Sequence, residues 1–560
     1  MRTPITILVS LLIANILPAQ DPTSRSAPSP ASSISGRIVY SPTGEPARDA
    51  VVFARGAGAR IETETDAQGR YVLKGVQSGV VTVNASMDQP QGFPLQASRR
   101  VQVGQAQDLA SVDMKFAIPP QIKGRVIDQN KEPVPDMQVM LVAREYSHGA
   151  LRYVFAGIAQ SDDQGNYTLS RFAPGRGFIV VVRPRPTQAG PVSDLPTSPD
   201  MRKRLPAPTF YPGSISVEGA QVLTLGDGEI REAVDIPVVR APSLCIEGHT
   251  LAGRAAAALS FDISPETPTF GQSGNGGMYG IGMFYGKTGP DGVIRACGLT
   301  PGTWTIHVDQ RGASFRDPPA FFGTAAFTLT DSDLHDVVIA ASPRVSLPVE
   351  VMLDGPALVA TPDNPKPIPD LTVLLQSLVY AQHTGDSGDN KVAVPGSMVL
   401  EGLLVDNYSL TIRGLAPGMY IESAAYNNAD VLRHTIRAGS SADNTPLRIA
   451  IGENGGTIQV TATDKENNPA DNAFITVFPA DAITEADIAA AYTTGTVDQT
   501  GSWKSGVIAP GSYYAIATPT PSDRSPEAIG KLLSARAQSD PVVVPPGGTA
   551  NTAIVEHTLQ

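Results

Sequence analysis

Short runs of alternating apolar and polar residues, separated by turn residues, recur along the whole chain. The runs "WTIHV" from Trp304, "YIESAAY" from Tyr420 and "YYAIA" from Tyr513 show the period of two that is typical of half-buried strands. Between such runs lie 49 prolines and 53 glycines, spread evenly, which favour turns over long helices. The sequence therefore predicts an all-β fold.

Two segments depart from this alternation. One is "DAITEADIAAAY" from Asp481, and the other is "SPEAIGKLLSAR", in which Ser525 stands at a helix N-cap position and Pro526 at the first helical position. Both segments predict minor helical insertions in the β fold.

One turn motif recurs along the chain. It appears as "DAQGRYVLKGVQSG" (66–79), "DDQGNYTLSRFAPG" (162–175), "GPDGVIRACGLTPG" (289–302) and "DQTGSWKSGVIAPG" (498–511). An Asp carboxylate accepts a backbone N–H two residues ahead, a Gly supplies a positive φ, and the aromatic that follows points into a core. The residues in these roles are Asp66, Gly69 and Tyr71, then Asp162, Gly165 and Tyr167, then Asp498, Gly501 and Trp503.

The repeat divides the chain into similar units. Each motif leads to a Pro-Gly or Ser-Gly turn, an alternating strand and a hairpin-like tail, and about seven strands per unit are the content of a small β-sandwich. We expect a leader at 1–19, a linker at 20–33 and five sandwiches at 34–118, 119–240, 241–342, 343–452 and 453–560.

The openings of the first two units share a second motif. Gly36-Arg37-Ile38 and Gly124-Arg125-Val126, together with the Asp-x-x-Gly-x-Tyr turns, resemble the carboxypeptidase regulatory-like domain, a transthyretin-like β-sandwich found in exported bacterial proteins. Units three to five resemble it in outline. The resemblance implies a tandem array of such sandwiches, and because its motifs specify turns and a core, it implies little about activity.

The N-terminal segment and the net charge indicate where the protein is located and which partners it lacks. The opening "MRTPITILVSLLIANILPAQ" is typical of a secretory signal peptide, with a cleavage position near Ala19. Its apolar run is too short to span a bilayer comfortably, and no later stretch is long enough. A net charge of −12 argues against nucleic acid or an anionic membrane as partner. We expect an exported chain without a transmembrane segment.

Two cysteines, Cys245 and Cys297, are present. In an oxidising compartment such a pair favours a disulfide, and two free buried thiols are the alternative that the sequence leaves open.

Motifs of catalysis and cofactor binding are missing. No His-x-x-Glu, His-Glu-x-x-His or Gly-x-Ser-x-Gly pattern occurs, so we expect no enzyme, no catalytic residue, no metal and no cofactor. The loop "HTGDSGDNK" clusters Asp386, Asp389 and Asn390, but its spacing matches no calcium loop. "GIGMFYGKTG" (280–289) fails the phosphate-loop spacing, and a turn rather than a helix follows its Lys-Thr.

Aromatic residues near the third unit are candidates for a glycan platform, because flat rings pack against the C–H faces of sugars. The candidates are Phe210, Tyr211, Tyr279, Phe284 and Tyr285, with Phe321 and Phe322 nearby. Loop anchoring is the competing interpretation. The sequence favours a non-catalytic envelope or surface scaffold that interacts with a carbohydrate or another envelope protein. A dedicated carbohydrate-binding or adhesion protein and an accessory chain of a secreted hydrolase are the alternatives.

Overall fold

A computed structural model describes most of the chain. The described residues are 32–56, 59–89, 94–147, 149–185, 187–188, 204–265, 270–271, 284–310, 319–354, 368–378, 383–384, 390–439 and 445–557. Within them lie five apolar cores. Four of these lie between two separate β-sheets, and the third along the chain is enclosed by strands of a single nine-stranded sheet. This confirms the predicted fold class, an all-β tandem array of small sandwiches.

We name the sandwiches units 1 to 5, and the unit limits predicted from the sequence stay a prediction. The strands of unit 1 are β1 (Ser32–Ser41), β2 (Val51–Arg55), β3 (Ile61–Glu64), β4 (Arg70–Val76), β5 (Gly79–Met87), β6 (Leu95–Val103), β7 (Asp108–Leu109) and β8 (Met114–Ala117). Those of unit 2 are β9 (Gln121–Ile127), β10 (Gln138–Ser147), β11 (Ala150–Gln160), β12 (Asn166–Leu169), β13 (Gly177–Arg183), β14 (Thr187–Gln188), β15 (Arg204–Pro206), β16 (Thr209–Phe210), β17 (Leu223–Thr224), β18 (Ile230–Arg231), β19 (Ile236–Pro237) and β20 (Arg240–Pro242), with a 3-10 helix at Val217–Gly219.

Units 3 and 4 follow. Unit 3 contains β21 (Leu244–Ala252), β22 (Ala255–Ala256), β23 (Ser260–Pro265), β24 (Phe270–Gly271), β25 (Phe284–Lys287), β26 (Val293–Leu299), β27 (Gly302–Asp309), β28 (Phe321–Leu329) and β29 (Leu334–Pro343). Unit 4 contains β30 (Val345–Asp354), β31 (Leu371–Ser377), β32 (His383–Thr384), β33 (Lys391–Val392), β34 (Gly396–Leu403), β35 (Asn407–Arg413), β36 (Tyr420–Tyr426), β37 (Ala429–Asp430), β38 (Ile436–Arg437) and β39 (Leu447–Gly452).

Unit 5 carries the helices. Its elements are β40 (Thr457–Thr463), β41 (Phe474–Pro479), α1 (Glu485–Ala491), β42 (Thr493–Thr496), β43 (Ser502–Lys504), β44 (Gly511–Thr518), α2 (Pro526–Arg536), β45 (Val542–Val544) and β46 (Thr549–Val555). The predicted insertions are confirmed as α1 and α2. Thr484 caps α1 in a capping box, and the Ser525 hydroxyl accepts a hydrogen bond from the Ala528 N–H at the start of α2.

One strand pairing recurs in all five units. The first strand of a unit pairs antiparallel with a middle strand, as β1 does with β4 and β40 with β43. The same first strand pairs in parallel with a strand near the end of its unit, as in β1–β8, β9–β19, β21–β29, β30–β39 and β40–β46. The five units therefore share this pairing of the first strand.

The hairpin expected in each tail occurs in unit 3, where β28 pairs antiparallel with β29, but it is corrected in units 1, 2 and 5. In unit 1, β6 pairs with β5 in one sheet, whereas β8 pairs with β1 in the other. In unit 5, β45 pairs with β44 and β46 with β40. In units 1 and 5 the polar turn between the two tail strands thus crosses from one sheet to the other.

Unit 5 lies against units 1, 2 and 4. The Tyr146 N–H of unit 2 donates to the Arg524 carbonyl over 2.7 Å, and the Gly455 N–H donates to the Gly418 carbonyl over 2.8 Å. The Gln102 N–H of unit 1 donates to the Gln499 side chain over 3.0 Å. The chain therefore folds back on itself, so that its last unit contacts its first.

Units 2 and 3 are joined by exchanged strands. The short β14, which follows β13, pairs with β25 of unit 3, while β24 of unit 3 pairs with β11 of unit 2. Because each unit adds a strand to the edge of the other, the adjoining sheet edges are covered.

Candidate functional site

The three clear copies of the Asp-Gly turn have one geometry. The Asp66 carboxylate accepts the backbone N–H groups of Gln68 and Arg70 over 2.9 and 2.8 Å. The corresponding carboxylates of Asp162 and Asp498 accept the N–H groups two and four residues ahead in the same way. The glycines Gly69, Gly165 and Gly501 have φ values of 73°, 75° and 74°. A side chain there meets the left-handed penalty, so these glycines serve turns rather than a ligand.

The aromatic residue of each turn is part of a core. Tyr71 and Tyr167 are 2% and 3% exposed, and their hydroxyls donate to the carbonyls of Val112 and Val234 over 2.6 and 2.7 Å. Burial raises the pKa of both hydroxyls above the ordinary value. Trp503 is 6% exposed and lies in the core of unit 5.

The glycine of the Gly-Arg motif lies against the same carbonyls. A Cβ added to Gly36 would lie 2.1 Å from the Val112 oxygen, and one added to Gly124 would lie 1.9 Å from the Val234 oxygen. Only glycine allows the segments that precede β8 and β19 to approach this closely. In units 1 and 2 the Gly-Arg and Asp-Gly-aromatic motifs thus meet at one point.

A third part of this arrangement was not recognised in the sequence. The Arg37 N–H donates to the Asp113 carboxylate over 2.7 Å, and the Arg125 N–H donates to the Asp235 carboxylate over 2.9 Å. Both acids follow a valine, in "SVD" and "AVD". This shared Val-Asp pair could have indicated the contact from the sequence. It was missed because it lies far along the chain from its Gly-Arg partner.

The Lys-Thr of "GIGMFYGKTG" occupies a structural position. The Thr288 hydroxyl is buried and accepts the Leu259 N–H over 2.9 Å, as Thr65 accepts the Ala50 N–H and Ser161 accepts the Met137 N–H. A hydroxyl engaged in this way links two strands. The residue therefore marks the register of the third unit.

Cys245 and Cys297 are disulfide-bonded in the structure. They lie opposite each other in the antiparallel pair β21–β26. The Cys245 N–H also donates to the carboxylate of Asp333, the residue before β29, over 2.7 Å, so β21 is held on both sides.

Burial corrects the proposed aromatic platform. Phe210 is 2% exposed and packs against Val142 and Val181 on the outer face of the β10–β13 sheet, beneath the 3-10 helix. Phe284 is 8% exposed, and its ring centroid lies 6.0 Å from that of Trp304 in the core of unit 3. Neither ring has a face free for a sugar.

The remaining platform candidates differ in exposure. Tyr211 is half-buried against the core of unit 2. Tyr279 lies outside the described residues. Phe321 is half-buried and Phe322 is 1% exposed. Tyr285 alone of the described candidates is open to solvent, with 47% of its surface exposed.

Tyr285 begins a row of polar side chains across the outer face of unit 3. In the strand register Tyr285 lies opposite Asp262, Asp262 opposite His307, and His307 opposite Thr324. The His307 Nδ1 and Thr324 Oγ1 atoms are 2.8 Å apart. We call these four residues the polar row. It offers an aromatic ring beside groups that hydrogen-bond hydroxyls, the combination that sugar sites use.

Burial keeps the imidazole of His307 in the polar row neutral. Burial lowers the pKa of His307 to about 4, and Asp309 opposes this shift only in part. The His307 ring is stacked on Phe322 at an interplanar angle of 13°. Beyond Asp262 lies Arg183 of unit 2, whose pKa burial lowers to about 10 and whose Nε–H donates to Gln138 over 2.8 Å.

The described part of the chain contains no candidate group of metal ligands and no candidate membrane helix. There, no group of three or more His, Cys, Asp or Glu side chains is placed to hold a metal ion. Asp386 and Asp389 of the "HTGDSGDNK" loop lie outside the described residues. Among the residues placed by the structure, no helix has the length and apolar character to cross a membrane.

Comparison with known proteins supports the motif assignment. The sequence model of the carboxypeptidase regulatory-like domain matches residues 33–116, so the predicted resemblance is confirmed for unit 1. No curated protein matches the sequence.

Solved structures with similar segments are distant. The TIE protein of Bacillus anthracis is 11% identical over 56% of this chain and 50% of its own, with a TM-score of 0.17, so this chain spans half of that protein. A streptococcal ancillary pilin is 13% identical over 56% of this chain and 99% of its own, with a TM-score of 0.18. GBS52, a minor pilin of Streptococcus agalactiae, is 11% identical over 43% of this chain and 99% of its own, also with a TM-score of 0.18. Scores this low carry no argument about function.

Proposed function

We propose that the protein is an exported, non-catalytic scaffold that holds five β-sandwiches in one fixed arrangement and presents their outer faces to a partner in the cell envelope. The observation that carries this proposal is the position of unit 5, which contacts units 1, 2 and 4 together. A flexible string of domains would leave these surfaces independent.

The contact with unit 2 combines apolar packing and charge. Tyr146 packs against the buried apolar cluster of α1 and α2, which includes Ile488, Ile529 and Leu532. Arg144 pairs with Glu527 over 2.5 Å, and both side chains are less than a third exposed. Ion pairs in such partly desolvated positions are screened less by salt than surface pairs.

Further pairs tie unit 5 to units 1 and 4. Arg99 is 5% exposed and pairs with Asp471 of unit 5, and Arg433 of unit 4 contacts both carboxylate oxygens of Asp481 at 3.1 Å. Because the three contacts involve separate residues of unit 5, breaking one leaves the other two in place.

Export is supported by the disulfide and by the leader expected at 1–19. The test is expression of the chain with its own N-terminus in a Gram-negative host, followed by fractionation and intact-mass measurement. We expect a mature chain that lacks the leader and carries one disulfide in the periplasm or medium. A full-length, reduced chain confined to the cytoplasm would contradict the proposal.

A glycan-binding role is the second candidate, favoured by the polar row beside the exposed Tyr285. Binding to insoluble cell-wall polysaccharide would be measured by pull-down of the wild type and of Tyr285→Ala. The matched control is Val338→Ala, another exposed residue of unit 3, at 61% exposure. Loss of retention for Tyr285→Ala alone supports the role, and equal retention of all three chains rejects this site. Co-purification with a hydrolase would instead favour an accessory chain.

A further inference from the structure

The outer face of the second sheet of unit 1 carries arginines grouped around one aromatic ring. The guanidinium carbons of Arg55 and Arg60 lie 5.2 and 4.1 Å from the centroid of the Phe53 ring. Arg60 also pairs with Glu62 over 3.0 Å. The ring thus holds two guanidinium groups close together through cation–π contacts, although only one of them has a carboxylate partner.

A third arginine lies on the same face. Arg55 of β2 is opposite Thr82 of β5, and Thr82 is opposite Arg100 of β6. Two strand spacings separate the backbones of Arg55 and Arg100 by about 10 Å. Arg55 is exposed and Arg100 half-buried, and the half-buried Thr82 and Asn84 fill the space between them. We call Phe53, Arg55, Arg60, Thr82, Asn84 and Arg100 the arginine face.

Three arginines share this face with two exposed acids of β3, Glu62 and Glu64, so its net charge is positive. In the part of the chain that the structure describes, Arg55 and Arg100 form no ion pair. Residues 32–117 carry nine Lys and Arg against eight Asp and Glu, whereas the whole chain has a net charge of −12. The arginine face is therefore a surface on which an otherwise acidic protein can bind an anion.

We propose that the arginine face binds an anionic glycan that carries carboxylate groups. Guanidinium groups form paired, charge-assisted hydrogen bonds with carboxylates, and a chain lying across the strands reaches both Arg55 and Arg100. Asn84 donates its amide hydrogen to the Thr82 carbonyl over 3.1 Å, which leaves its side-chain oxygen to accept from sugar hydroxyls.

Two other anionic occupants fit the face less well. Nucleic acid would bring dense phosphate charge against a strongly acidic protein and would require more phosphate contacts than this face offers. An anionic bilayer would favour an exposed ring that inserts, but the Phe53 ring is covered by guanidinium groups. The proposal goes beyond the scaffold role and uses a surface separate from Tyr285.

The test measures binding of polygalacturonate by the full mature chain in affinity electrophoresis, with neutral dextran as the uncharged probe. We expect retardation by polygalacturonate only, and at least about tenfold weaker binding for Arg55→Ala/Arg100→Ala, which removes two charge-assisted contacts. The matched control is Arg70→Ala, an exposed arginine of the other sheet of unit 1, whose binding should change less than about twofold.

Several results would overturn the proposal. They are unchanged binding by the double variant, equal weakening by Arg70→Ala, which indicates nonspecific charge, or stronger retention on duplex DNA or phosphatidylglycerol vesicles than on polygalacturonate. Circular dichroism and thermal unfolding of each variant show that unit 1 remains folded. The scaffold proposal is tested by export and unit geometry, so either proposal can fail without the other.

Discussion

Tyr146 on β10 of unit 2 donates its hydroxyl hydrogen to Glu485, the first residue of helix α1 in unit 5, across 339 positions of the chain. Burial and then the bond to Glu485 raise the pKa of this hydroxyl to about 12, so it stays a donor at physiological pH. The short helices of unit 5 thus serve as a contact surface for unit 2, which gives a physical role to the only two α-helices in the described part of the chain.

The neighbouring ion pair should show measurable coupling between the two units. We expect Arg144→Glu and Glu527→Arg each to lower the free energy of unfolding by about 2 kcal/mol, because each leaves a partly buried charge beside a like charge. The double variant should recover about 1 kcal/mol or more of the combined loss, since it restores opposite charges. Urea unfolding monitored by fluorescence measures the four stabilities. If the loss in the double variant equalled the sum of the two single losses, the two side chains would make no contact in solution.

Removing the buried hydroxyl in unit 1 should weaken that sandwich. Tyr71→Phe leaves the Val112 carbonyl without its side-chain donor, which costs about 1 to 2 kcal/mol. Tyr285→Phe, at an exposed position, is the control and should change stability by less than about 0.5 kcal/mol. Thermal unfolding of both variants distinguishes the two effects. Equal, small effects would mean that Tyr71 does not form this bond.

Reduction of the disulfide should lower the stability of unit 3. The bond closes a loop with a sequence separation of 52, for which the chain-entropy account gives about 4 kcal/mol. We expect a lower unfolding temperature after reduction and no alkylation of the unreduced protein. Two alkylated cysteines in unreduced protein would show free thiols instead.

The buried imidazole predicts a specific pH dependence. The folded chain protonates His307 near pH 4, whereas the unfolded chain does so near 6.5, so the unfolded state binds more protons between these values. Stability from this group is therefore lost as the pH falls from about 6.5 to about 4. His307→Asn should reduce that loss, whereas His249→Asn, at an exposed position, should not. The free energy of unfolding of the wild type and both variants would be measured between pH 4 and pH 6.5. The same dependence on pH in all three proteins would contradict the burial of His307.

Local features were predictable from the sequence because they depend on residues a few positions apart. The Asp66 turn and the Ser525 cap each follow from turn or capping chemistry. Alternation alone did not reveal that Phe210 and Phe284 are buried, since a strand in a covered sheet shows the same pattern as one at the surface.

The sequence did not predict how the units are arranged. The contacts Arg99–Asp471 and Gln102–Gln499 join residues separated by 372 and 397 positions. No periodicity connects such positions, and each side chain would be equally suited to a solvated surface. The parallel pairing of the last strand with the first was missed for the same reason, because the Val-Asp signal lies 76 positions from Arg37.

The most direct test of the folded-back arrangement is the distance between units 1 and 5. Spin labels placed by Gln102→Cys and Gln499→Cys, with the native cysteines protected in their disulfide, would be measured by double electron–electron resonance. Since the Gln499 amide donates to the Gln102 carbonyl over 2.8 Å, we expect a single narrow distance shorter than the width of one sandwich. A long or broad distribution would show that the units form an extended or flexible chain, and would contradict the scaffold proposed for this protein.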